Sequence, residues 1–159
     1  MNRSGKTLIL GGLLLVIWGM SYGLWYALFD EHQTLVRMGE RLTTAYAQAA
    51  ARDLPAANAA LDLYAATKFE YVREVDVHSH WSGLAVLLFV LGLMFEQVNF
   101  TERHRRRLAW ALVAGSFLFP LGVILQTVWQ GLIPQGIAAV ASGLLILALG
   151  AVAWGFSRR

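Results

Sequence analysis

TLILGGLLLVIWGMSYGLWYALF, Thr7 to Phe29, runs for 23 residues without a charge. A helix crossing a ~30 Å hydrocarbon core needs about 20 apolar residues, so this stretch predicts a transmembrane helix over 7–29. Three more uncharged runs follow: 15 residues over 81–95, 22 over 108–129 and 26 over 131–156. At ~1.5 Å per residue the second is too short to span. It must draw in His78, Ser79 and His80 at one end, or Glu96 and Gln97 at the other. The fourth gives its first residues to a turn around Pro134. Spans are therefore expected at 7–29, 78–98, 108–129 and 136–156. Between and around them lie an N-terminal tail (1–6), a long segment (30–77), a basic loop (99–107), a short turn (130–135) and a tail (157–159).

Composition agrees. Of the 159 residues 57% are hydrophobic and 14% charged, against about 25% charged in a soluble domain. A cleaved signal peptide is the other reading of the first run, but secretory apolar regions are about 7–15 residues long and end in small residues. This one carries Trp18, Tyr22, Trp25 and Tyr26 and closes on Leu28-Phe29-Asp30, so a retained anchor is expected. With no cysteine in the chain, disulfides, thiolate metal sites, iron–sulfur clusters and covalent c-type haem are excluded.

The net charge of +3 reads as topology rather than as a nucleic-acid signal. Residues 1–6, 96–107 and 157–159 hold eight basic residues against two acidic, Glu96 and Glu102; residues 30–80 hold eight acidic and five basic. By the positive-inside rule both termini and the arginine loop are cytoplasmic and residues 30–77 lie outside. The expected fold is all-α: an integral-membrane four-helix bundle, N-in and C-in, in a bacterial cytoplasmic membrane.

The outer segment reads as a helical hairpin. Leu35, Met38, Leu42, Ala45, Tyr46 and Ala49 recur at the spacing of one helix face. Asp53-Leu54-Pro55 supplies a cap and an early-helix proline, which sets the break near residues 52–54. A second helix then carries Leu61, Tyr64, Ala65, Val72 and Val75, and the two helices are expected to extend spans one and two as an antiparallel pair.

Chemistry is confined to few residues. Histidine is the commonest ligand for haem iron, copper and zinc. His32 follows span one, and His78 and His80 open span two, so all three are expected at one membrane face. Glu70, Glu74 and His78 form an i, i+4, i+8 stripe if the helix is unbroken. His78 and His80 stand about 200° apart on a helix; on an extended segment they would share a face with Asp76 and chelate together. Both conformations are open from the residues alone. The metal-ligand set drawn from this region is His78, His80, Glu74 and Asp76, and a cofactor would take His80, His78 and His32. His104, among Arg103, Arg105, Arg106 and Arg107, belongs to a run suited to anionic headgroups. No lysine, arginine, aspartate or glutamate lies within the uncharged runs, which speaks against a proton pump or ion-coupled transporter.

The stretch His78-Ser79-His80-Trp81-Ser82-Gly83-Leu84-Ala85 resembles a pattern in small bacterial four-helix membrane proteins and, distantly, relatives of haem-copper oxidase subunit I. Those carry His-x-His at the outer start of a transmembrane helix. The resemblance covers about residues 77–155. It implies a haem or copper association through His78 or His80. Ala85 stands where glycine is often found, and no later span carries a histidine, so a second haem ligand must come from His32.

Two functions follow as expectations. One is a redox-associated membrane protein with a single haem or metal site at the outer face. The other is a non-catalytic accessory or scaffold subunit whose partners are the lipid bilayer, other membrane subunits or further copies of itself. Neither reading makes it an enzyme.

Overall fold

The computed structural model describes residues 2–129 and 131–158. It contains α1 (Arg3–Phe29), α2 (Glu31–Ala50), α3 (Leu54–Met94) followed by a 3-10 turn (Phe95–Gln97), α4 (Glu102–Val128) and α5 (Leu132–Ser157), with no strand among the described residues. The stretches Arg3–Phe29, Leu54–Gln97, Glu102–Val128 and Leu132–Ser157 are long and apolar enough to cross a membrane. The protein is thus all-helical with the make-up of a multi-pass membrane protein. Helix α3 has 41 residues, about twice what a bilayer requires. Its first half is charged up to Asp76, and the uncharged run that begins at 81 falls in its second half.

Two compact units divide the chain, Met1–Ser21 with Asp76–Arg159, and Tyr22–Val75. In the first, α1 and α3 run antiparallel along a seam of small residues. A methyl on Gly12 would sit 2.8 Å from the Ala85 carbonyl oxygen, one on Gly92 3.0 Å from the Gly5 carbonyl oxygen, and one on Gly19 3.0 Å from Trp81 Cβ. Gly5, Gly12 and Gly19 are seven apart, and so are His78, Ala85 and Gly92. Apolar helices gain nothing hydrophobic by leaving lipid for each other; close backbone approach over small residues holds them together instead. Helices α4 and α5 meet in the same way, with Gly122 against the Ala138 backbone and Gly115 against Leu145. Large side chains such as Leu14, Ile17, Val140, Ile146 and Leu147 face outward, as on a surface wetted by lipid.

In the second unit a single residue, Asp30, separates α1 from α2, and helical hydrogen bonds persist on both sides of it (Asp30 N to Tyr26 O and Thr34 N to Asp30 O, each 3.0 Å). The hairpin turn falls where the cap signals place it. Arg52 is the only non-glycine described with a left-handed backbone, φ 61°. Its N–H donates to Ala49 O at 3.0 Å and that of Asp53 to Gln48 O at 2.9 Å, the paired bonds of a Schellman ending. Asp53 Oδ1 then accepts the Ala56 N–H at 3.1 Å, capping α3. Between the hairpin's helices Ala45, Ala57 and Thr67 are buried, and Arg41 reaches the Leu63 carbonyl at 2.7 Å.

Two helix starts differ from the spans read in the sequence. Helix α4 begins at Glu102, so most of the basic loop 99–107 is helical. Helix α5 begins at Leu132 rather than 136, because Pro134 falls in the first turn, where a missing N–H loses no hydrogen bond.

Candidate functional site

No glycine or proline interrupts α3 between Pro55 and Gly83, and the helix carries every residue from Glu70 to His80. The extended arrangement in which Asp76, His78 and His80 chelate together is therefore corrected. On a helix at 100° per residue His78 faces nearly opposite His80, and one ion cannot take both.

The two histidines have separate surroundings. His78 is half-buried, and its Nδ1 donates to the Gly19 carbonyl at 2.8 Å. Gly19 makes this approach available, since it is the seam residue of α1 opposite Trp81 and Ser82. With the proton on Nδ1, a neutral ring keeps Nε2 as an acceptor. His80 is exposed, with its ring centroid 5.0 Å from that of Phe119. Beside them Trp18, Trp81 and Phe117 form an aromatic cluster with centroids 5.9–6.4 Å apart, and Trp81 Nε1 donates to the Phe117 carbonyl at 3.3 Å. An apolar groove of about 580 Å³ between α1 and α4 borders this cluster, lined by Leu14, Ile17, Trp18, Ser21, Val113 and Phe117 among others. It offers no ionisable group.

Asp76 belongs to this same unit and is partly exposed. His32 belongs to the other unit, exposed on α2. Glu74 is also in that second unit, in the charged part of α3. Burial raises its carboxyl from the usual range to about 7, the Asp30 charge adds to the rise, a hydrogen bond from Tyr26 opposes it, and Glu70 contributes further. Tyr26 is 5% exposed. Asp30 itself lies beside Thr34, whose Oγ1 is 3.5 Å from its Oδ2, and Arg37, 3.9 Å from its Oδ1.

Among the described residues no three histidine, aspartate or glutamate side chains come together as a metal-binding group. The residues thus do not fit a metal held by Glu74, Asp76, His78 and His80. What the sequence reading passed over is the seven-residue spacing of Gly5, Gly12 and Gly19, which is plain in the chain and sets the depth at which α1 meets His78. No family model matches the chain, and neither a curated protein nor a solved structure does.

Proposed function

We propose that this chain is a non-catalytic accessory or scaffold subunit of a bacterial inner-membrane complex, a four-span bundle with both termini cytoplasmic and the hairpin 30–77 outside. The observation that carries this reading is an unpartnered stripe on the hairpin. Leu61, Ala65, Phe69 and Val72 follow one helix face and are exposed, Leu61 by 43% and Val72 by 42%. The stripe lies in the charged half of α3, beyond the reach of lipid, and apolar surface of that kind is a mark of protein contact. Lys68 and Arg73 border it and share a shallow groove with Tyr64, Ala65, Phe69 and Val72; Arg73 lies 4.9 Å from the Phe69 ring centroid. An amphipathic partner helix with acidic flanks complements this face.

A second reading has one observation in its favour. His78, fixed through Nδ1 by a backbone carbonyl, presents Nε2 as a metal-bound histidine does. A single haem b, copper or zinc ion at the outer face would be held there, and His80 would lie outside its ligand sphere. Mild-detergent purification separates the two readings. The scaffold reading expects a colourless protein with sub-stoichiometric metal, migrating in an assembly that Phe69→Glu dissolves while the four spans stay folded. A Soret band, or one metal per chain lost in His78→Ala, overturns it in favour of the redox role.

A further inference from the structure

We propose that a slot at the arginine-rich end of the first unit binds one anionic phospholipid, with an acyl chain laid against α4 and α5 and the phosphate on Arg107 and His104. The slot encloses about 200 Å³ and is lined by Phe100, His104, Arg107, Leu108 and Ala151. Its walls are apolar throughout. Phe100, Leu108 and Ala151 offer the bed, and His104 and Arg107, three apart on α4, share one helix face and contribute only carbon surface to it.

The charges of this end are already sorted. Arg105 is committed to Glu102 at 3.0 Å and to the Glu96 carbonyl at 3.1 Å. Glu102 also accepts the Ser4 hydroxyl at 2.8 Å, so this acid is already occupied. Among the described residues Arg103, Arg106 and Arg107 form no ion pair. His104 is oriented by the Thr101 hydroxyl, 2.7 Å from Nδ1, which leaves Nε2 for a ligand. A guanidinium fork matches two phosphate oxygens. Charge complementarity therefore selects an anion, and the apolar bed selects one that carries a hydrocarbon chain. A free phosphate would leave that bed bare, and a zwitterionic headgroup would bring a second cation to Arg107.

Native mass spectrometry of the full chain tests this, with phosphatidylglycerol and phosphatidylcholine offered in equal amounts. The expected result is one phosphatidylglycerol retained under activation that strips phosphatidylcholine. Arg107→Gln lowers the retained fraction about fivefold, the share of one cation beside an anionic lipid. Ala151→Phe fills the slot and removes retention with helix content unchanged; Arg107→Gln, a surface change, decides alone if that variant fails to fold. Equal retention of both lipids, or Arg107→Gln binding like the parent, overturns the proposal. Displacement of the lipid by excess inorganic phosphate overturns it too, since the site would then recognise phosphate without the chain.

Discussion

Glu74 stands among oxygen atoms. Asp30, Glu70 and Tyr26 all bear on its carboxyl, and burial holds it at about 7. A folded value above the unfolded 4.5 means that the stability this group confers is complete below ~4.5 and lost as the pH rises to about 7. The protein should therefore melt lower at about pH 8 than at about pH 5.5. Glu74→Gln, which cannot ionise, should melt higher than the parent at the alkaline value and flatten the difference, as read by circular dichroism in detergent. An unchanged slope in the variant would remove Glu74 as its cause. The Glu70–Glu74–His78 stripe was legible in the sequence because i, i+4 spacing is local. Its partners were not. Nothing in the chain's periodicity states that Asp30 and Tyr26 bear on Glu74, or that the Gly19 carbonyl receives His78; those pairings depend on the register of one helix against another.

At the level of helices, the seam between α1 and α3 makes the sharpest demand. A Cβ on Gly12 would meet the Ala85 carbonyl oxygen at 2.8 Å and the Phe89 nitrogen at 3.2 Å. Both are backbone atoms that cannot rotate away, so Gly12→Ala should destabilise by about 1–3 kcal/mol through overpacking. Gly83 has no atom within 4 Å of the same position, and Gly83→Ala on α3 should leave stability unchanged or raise it by up to ~1 kcal/mol through helix propensity. Thermal unfolding of the two variants in one detergent checks the contrast; equal losses would deny the seam its role. The hairpin break at Arg52–Leu54 was readable because caps and prolines act within a few residues, whereas the starts of α4 and α5 were not. The backbone approach of α1 to α3 repeats every seven residues, at Gly5, Gly12 and Gly19, as two helices held face to face require.

For the whole molecule, the topology proposed above, with the hairpin outside and the arginine cluster cytoplasmic, makes a proteolysis prediction. Trypsin added to sealed right-side-out vesicles should cut at Arg52, in the tight turn between α2 and α3, and spare Arg103 to Arg107 until the vesicles are opened. Cleavage in the reverse order would invert the orientation. Four spans were legible from hydropathy alone, since a bilayer accepts only long uncharged runs. The gathering of histidines was less so: helicity turns His78 away from His80, whatever their nearness along the chain. The α1 seam also has a history during translation. Its mates on α3 lie some seventy residues downstream, and at about 5–20 residues per second the ribosome needs roughly 4–15 s to deliver them. Throughout that interval the nascent first helix waits with its notched glycine flank bare, until Gly92 emerges to cover it.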